Sequence, residues 1–312
     1  MVNFNHIESA HNRISNFIHN TPILTCENIN KETNTNLFFK CDNFQKTGSF
    51  KIRGATNTIL QLSKQQLTNG VITTSSGNHG AAVALAATRL GANVKVIMPN
   101  NTPKVKIDNV QRYGGEIIFC EPNIKARENM LKTMVQETGS TIVHPYNDEK
   151  IIAGQGTAAK ELLESIPDLD VIIVPVSGGG LLSGTLLSAK SINPDLKVYG
   201  AEPKNADDTY RSIKRKKIVP NQTTDTIADG LRAQVGTITF PIIQKLVDGI
   251  MLVSEEMIVQ SMRMIWQRLK IIIEPSCSIV LAALLINNDQ FYKKKVGLIL
   301  TGGNVDLDTL PW

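Results

Sequence analysis

A regular alternation constrains this chain more than any other feature. Short runs rich in β-branched and aliphatic residues recur, separated by longer stretches of helical periodicity. The runs are Leu37–Cys41, Val71–Thr74, Val94–Met98, Glu116–Phe119, Val171–Pro175, Lys197–Ala201 and Val296–Leu300. Helical patterns lie between them, at His79–Leu90, Thr102–Tyr113, Ile124–Glu137 and Ala153–Ser165. Strands joined by helix-length crossovers form parallel sheets with helices on both faces. The sequence therefore predicts an α/β fold. One compact set of units runs from about Gly70 to Asn147 and a second from Ile151 onward, which predicts two α/β layers with a cleft between them. Open α/β sheets bind ligands outside the carboxyl ends of their strands, so the loops there are the candidates for chemistry.

Several function classes fit the composition poorly. The net charge of +5 is small for 312 residues. The basic runs Lys214-Arg215-Lys216-Lys217 and Lys293-Lys294-Lys295 lack interleaved aromatics, so they read as solvated surface and not as a nucleic-acid face. No apolar run reaches the roughly 18–20 residues that cross a bilayer. The first residues have no apolar signal core; Ile7, Ala10, Ile14 and Phe17 instead predict an amphipathic helix. Cys26, Cys41, Cys120 and Cys277 are far apart with no CxxC spacing, which suits reduced thiols in a cytoplasmic protein.

Three loops stand out. Thr73-Thr74-Ser75-Ser76-Gly77-Asn78-His79-Gly80 follows a strand and opens an apolar helix. One Ser or Asn would be enough to cap that helix. Four polar residues at a helix N-terminus also make a carboxylate site. Val176-Ser177-Gly178-Gly179-Gly180-Leu181-Leu182-Ser183-Gly184 follows the strand VIIVP. It matches neither the Walker pattern nor the dinucleotide pattern. It suits a single phosphate held by backbone amides, or else a tight turn with close helix–strand packing. Leu300-Thr301-Gly302-Gly303-Asn304 ends the last strand and is weak evidence alone.

Lys51 lies between Phe50 and Ile52 where a loop becomes a helix. A helix N-terminus disfavours a cation, and burial lowers an amine's pKa. Those conditions suit a lysine that forms a Schiff base, although a lone lysine on an amphipathic helix more often snorkels to solvent. An imine-forming lysine, a monophosphate loop and a carboxylate loop together describe a pyridoxal 5′-phosphate site for an amino acid.

These motifs resemble the fold-type II pyridoxal-phosphate enzymes, the tryptophan-synthase-β-like group, and within it the serine racemases and serine/threonine dehydratases. The likeness runs nearly the whole chain: SFKIRGA at 49–55, SSGNHG at 75–80, HPYND at 144–148, AGQGT at 153–157, SGGGLLSG at 177–184, AEPKNADD at 201–208, IADG at 227–230, IEP at 273–275 and GGNVDL at 302–307. It implies a large cofactor domain of residues 1–69 and 148–312 and a small carboxylate-binding domain of residues 70–147. By this resemblance Lys51 carries the cofactor and Phe50 packs on its ring. Asn78 bonds its 3′-oxygen, Gly178, Gly179, Gly180 and Leu181 hold its phosphate, and Thr301 faces its ring nitrogen. Ser75, Ser76, Asn78 and His79 surround the substrate carboxylate, with Arg127 as a further contact. Glu202, the Ala206 carbonyl and Asp208 bind a divalent cation, Mg²⁺ or Ca²⁺. The family also implies a homodimer and, in some racemases, a nucleotide effector.

Two departures bear on this. Ser177 replaces the first of the usual four glycines, which requires a negative φ there. Ala233 stands where animal-type racemases have serine, which weakens the inference to serine as preferred substrate. Thr301, a neutral hydroxyl, leaves the ring a weaker electron sink than an aspartate would, so expulsion of a β-substituent is favoured. The expected activity is an ammonia-lyase that converts serine or threonine to a 2-oxo acid and ammonia. Ser76 stands where elimination-only relatives have alanine, and a hydroxyl opposite Lys51 permits serine racemisation. A threo-3-hydroxyaspartate ammonia-lyase is the second reading, and a non-catalytic sensor of the cofactor or an amino acid is the third.

Overall fold

The computed structural model describes residues 1–75 and 77–312, so Ser76 lies outside the described residues. Among these residues the strands are, in chain order, β1 (Ile23–Leu24), β2 (Asn36–Cys41), β3 (Val71–Thr74), β4 (Val94–Pro99), β5 (Glu116–Cys120), β6 (Thr141–Ile142), β7 (Val171–Pro175), β8 (Lys197–Pro203), β9 (Gly249–Val253) and β10 (Lys295–Leu300). They form a six-stranded sheet ordered β1-β2-β10-β7-β8-β9 and a four-stranded sheet ordered β5-β4-β3-β6. Every pairing is parallel except β1 with β2.

The apolar runs are continuous because both sheet faces are covered. Val171 and Ile173 enter one core while Ile172 and Val174 enter the core on the opposite face. Val96 and Met98 divide from Ile97 in the same way across the four-stranded sheet. Alternate side chains leave opposite faces, so each strand feeds two cores.

Parallel register brings the strand exits together. Leu300 pairs with Cys41, and Val296 pairs with Val171, so the segments after β2, β7 and β10 emerge at one edge. Ser49 bridges Gly302, and the Phe50 amide donates to the Thr301 carbonyl at 2.9 Å. The helix Lys51–Ile59 starts there and lies against the helix Glu149–Ser165. The two backbones nearly touch: a methyl group on Gly154 would stand 2.6 Å from the Gly54 Cα.

The side of the Lys51 helix that carries Arg53 is fixed by ions. The buried Arg53 guanidinium donates to both carboxylate oxygens of Asp42 at 2.6 and 2.8 Å. It also reaches both oxygens of Glu161, at 2.7 and 2.8 Å. Lys40 completes the set with an ammonium 2.6 Å from Glu161. Two cations thus meet two anions, and Asp42 and Glu161 hold the guanidinium firmly charged despite its burial. Removing one member would strand a buried charge, at a cost of about 3–5 kcal/mol.

Several elements depart from the sequence expectation. The N-terminal helix spans Phe4–Ile14, leaving Phe17 beyond it. The helix Glu149–Ser165 starts four residues before Ala153, because Asp148 accepts from the amides of Lys150 and Ile151 at 2.7 and 3.0 Å. Strands β1, β6 and β9 were not anticipated. No helix among the described residues is long and apolar enough to cross a membrane. All four cysteines are free and buried.

Candidate active site

Lys51 is the first residue of its helix, and its amine donates to the Pro145 carbonyl at 2.9 Å. The side chain is partly accessible, yet the amine is desolvated enough that its pKa falls to about 8, with Glu274 opposing the fall. The amine also lies 5.2 Å from the centroid of the Phe50 ring. An amine with this pKa has a substantial neutral fraction near pH 7–8, which nucleophilic or proton-accepting work requires.

The glycine loop faces the same space. Gly180 opens the helix Gly180–Ile192, and its cap Gly179 has φ +89°, a left-handed conformation that favours glycine. No side chain caps this helix, so its first amides are offered to a ligand. Gly178 and Gly180 lie under Tyr146: a methyl group on Gly178 would stand 2.3 Å from the Tyr146 ring. Thr239 holds the loop from behind, its hydroxyl donating to the Gly178 carbonyl at 2.7 Å. Ser177 has a negative φ, which meets the requirement for a Cβ there, and its hydroxyl accepts from the Ala233 amide at 3.0 Å. Leu181 and Thr301 are both buried beside this edge of the sheet.

The polar loop is organised differently. Ser75 turns inward, its hydroxyl accepting from the amides of Gly77 and Gly80 at 3.2 and 2.9 Å. Asn78 donates to both oxygens of Glu274 at 2.8 and 3.1 Å and accepts from Asn304 at 2.9 Å. Its amide is therefore held in one orientation. His79 is buried, with Nε2 3.1 Å from the Val143 carbonyl. Desolvation and the Lys51 charge push its pKa down to about 3, so its ring is neutral. Arg127 is on the helix Ile124–Thr138, and its Nε has no partner among the described residues; burial and Asp208 raise the Tyr146 pKa, with Arg127 opposing the rise.

Glu202 and Asp208 form a separate acidic place. Glu202 is buried at the end of β8 and accepts from the amides of Thr209 and Tyr210 at 3.0 and 2.9 Å. Asp208 accepts from the Val235 amide at 2.8 Å. Burial, reinforced by Asp208, pushes the Glu202 pKa up to about 8, and burial raises Asp208 to about 6. Ala206 is buried between them in sequence. Two carboxylates and a carbonyl make a hard-oxygen donor set.

Sequence reasoning gave no role to Tyr146 or Glu274. Both stand inside motifs already singled out, HPYND and IEP, but their place in the site depends on partners far along the chain. Glu274 is 196 residues from Asn78.

Comparison with known proteins identifies the family. The model of the family described as "Pyridoxal-phosphate dependent enzyme" matches residues 14–302. A serine racemase of Arabidopsis thaliana is 48% identical over 309 residues, covering 97% of this chain and 93% of that protein. A β-hydroxyaspartate dehydratase of Paracoccus denitrificans (strain Pd 1222) is 46% identical over 304 residues, covering 97% and 96%. The structure of maize serine racemase superposes with a TM-score of 0.96 at 46% identity, covering 99% and 95%. With the family model matching most of the chain and these relatives covering nearly all of it, the chain belongs to the pyridoxal-phosphate dependent enzyme family.

Proposed function

We propose that this chain is an ammonia-lyase for serine- and threonine-type β-hydroxy amino acids, with serine racemase activity. The observation that carries the proposal is the Lys51 amine, desolvated to a pKa of about 8 at the cleft shared with the glycine loop. The residues fit the cofactor. Gly178, Gly179, Gly180 and Leu181 would hold its phosphate on backbone amides that no side chain competes for. Phe50 would pack on its ring, Asn78 would bond its 3′-oxygen, and the buried Thr301 would face its ring nitrogen. When bound, pyridoxal phosphate supplies the electron sink for charge that develops at the substrate α-carbon.

The chain's own groups do the rest. Lys51 would anchor the cofactor and then, as a neutral amine, move the α-proton on one face. The helix start at Asn78, with Ser75, Ser76 and His79, would orient the substrate carboxylate. Loss of the β-hydroxyl and hydrolysis of the released enamine give pyruvate from serine, or 2-oxobutanoate from threonine, with ammonia. Ser76 would return a proton on the opposite face, which inverts the α-carbon. Glu202, the Ala206 carbonyl and Asp208 would bind Mg²⁺ or Ca²⁺, whose charge offsets the repulsion between two buried acids. Residues 1–69 and 148–312 would act as the cofactor domain and 70–147 as the carboxylate domain. A cytoplasmic homodimer with a nucleotide effector completes the reading.

One observation favours a second substrate. The Nε of Arg127, without a partner among the described residues, would suit the side-chain carboxylate of threo-3-hydroxyaspartate. The deciding experiment offers L-serine, D-serine, L-threonine and threo-3-hydroxyaspartate to purified holoenzyme, and follows both 2-oxo acid release and chiral composition. No turnover of any of the four would overturn the proposal.

A further inference from the structure

Lys106 takes no part in the chemistry above, yet its side chain crosses the cleft. It sits on the helix Lys104–Arg112, beside the four-stranded sheet. Its ammonium pairs with Asp229, in the turn Asp229–Leu231 on the six-stranded side. On the way it passes over Gly77, where a methyl group would stand 3.1 Å from its Cδ and 3.5 Å from its Nζ. Gly77 immediately precedes the helix Asn78–Thr88 and provides no capping side chain.

The turn at Gly77 is therefore strapped from two directions to one place. Asn78 reaches Glu274, which is the N-cap of the helix Pro275–Ile286. Lys106 reaches Asp229, whose neighbour Gly230 donates its amide to Ser276 of that same helix at 2.8 Å. Burial lowers the pKa of the Lys106 amine and the nearby Arg232 adds to the fall, while Glu274 opposes it. Asp229 and Glu274 thus outnumber Arg232 around the ammonium. The side chains are only partly accessible, 16% for Lys106 and 31% for Asp229, so the pair is shielded more than an ordinary surface bridge.

We propose that Lys106 is a positioning residue for the substrate carboxylate: the Lys106–Asp229 ion pair fixes the turn at Gly77 against the six-stranded side before substrate arrives. This rests on the reading that the turn receives a carboxylate. A turn already held pays little ordering entropy on binding, so the strap acts on affinity more than on the chemical step. Its close approach is to Gly77, whereas Gly178, Gly179 and Gly180 meet Tyr146, Ile243 and Thr239, so retention of the cofactor phosphate is expected to change little.

The test uses holoenzyme carrying Lys106→Met, Asp229→Asn, Lys106→Arg, or the charge reversal Lys106→Asp with Asp229→Lys. Each neutralising variant is expected to raise the KM of the substrate by about five- to tenfold, the range between an exposed pair and a buried one. Turnover at saturation stays within about threefold, and the cofactor absorbance band is unchanged. Lys106→Arg and the reversal recover most of the affinity. Hydrogen–deuterium exchange gives a readout independent of any substrate: the amides of Gly77–Ala81 exchange faster in Lys106→Met than in wild type. If Lys106→Met does not fold, Asp229→Asn carries the same comparison. Unchanged KM and unchanged exchange overturn the proposal, as does a fall in turnover at constant KM. A wild-type protein inert toward every amino acid would defeat the proposed function and not the strap, which the exchange measurement then decides alone.

Discussion

The cleft holds two helix starts that solve one problem differently. At Gly180 the ligand place is all backbone: Gly179 takes a left-handed φ, no side chain caps the helix, and Thr239 braces the loop from behind. At Asn78 the place is built from side chains: Ser75 folds inward and Asn78 is tied to Glu274. A backbone cradle depends on few rotamers and suits a phosphate that stays. A side-chain cradle can be tuned by its neighbours and suits a carboxylate that comes and goes. In the proposed function Lys51, hydrogen-bonded to Pro145 beside the Tyr146 that covers the glycine loop, would serve both a resident group and a passing one.

The strongest way to break this comparison is to remove the shared amine. Lys51→Ala is expected to lower turnover by at least about 10⁴-fold, because it deletes both the anchor and the proton acceptor. The glycine cradle is untouched, so the variant should still retain cofactor non-covalently, read by absorbance after desalting. Turnover near that of wild type would refute the assignment.

Ser76→Ala sharpens the polar side. The substitution is expected to cut L-to-D serine conversion, and elimination from D-serine, by about 10²–10⁴-fold. Elimination from L-serine needs only Lys51 and should fall much less. D-serine and pyruvate are measured in the same reactions; equal losses in both would make Ser76 a binding residue.

Gly178→Ala tests the backbone side. The added methyl group would drive into the Tyr146 ring at 2.3 Å, so ring and loop must part. Cofactor affinity should fall by about tenfold or more, consistent with overpacking of about 1–3 kcal/mol. The fold should survive, as read by melting temperature with and without added cofactor. A variant that binds cofactor as wild type does would show that the cradle is looser than its geometry implies.

The smallest effect is expected away from both helix starts. Glu202 and Asp208 have pKa values raised to about 8 and about 6, so the folded state holds protons that the unfolded state releases. The sign follows: stability without a cation is fullest at low pH and declines as pH rises through these values. A bound Mg²⁺ or Ca²⁺ should flatten that decline. Melting in chelator between pH 5 and 8, against melting with Mg²⁺, should differ by a few degrees at the alkaline end. Glu202→Ala or Asp208→Ala should erase the difference. Activity should follow, because Asp208 holds the Val235 amide and the neighbouring Gly236 amide donates to Gly178 at 3.2 Å.

The parts of the fold that were legible in the sequence are those whose physics is local. β7 and β10 announce themselves as unbroken apolar runs because both faces are buried. β1 and β6 are two residues each, too short for any period to show. The helix Glu149–Ser165 starts before Ala153 because the Asp148 cap, and not its periodicity, sets its first turn. Within the site, Lys51 and the glycine loop could be read from their place at helix starts. Glu274 could not, since IEP says nothing of Asn78. Lys106 was invisible for the same reason: a lysine on an amphipathic helix looks solvated until the chain brings Asp229 to it.

The pairing of β2 with β10 has a consequence for how the molecule is made. Residues 36–41 wait for residues 295–300 before the centre of their sheet exists, whereas β3 to β6 all fall within residues 71–142 and pair only with one another. During synthesis the four-stranded sheet can pair early and receive Ile52, Ala55 and Ile59 of the Lys51 helix, while the segment that leads into that helix still lacks its partner strand. Phe50 gains the Thr301 carbonyl only when nearly all of the chain has emerged. If Lys51 is the cofactor lysine proposed above, its surroundings are completed only near the end of synthesis, and a nascent chain would hold the cofactor poorly.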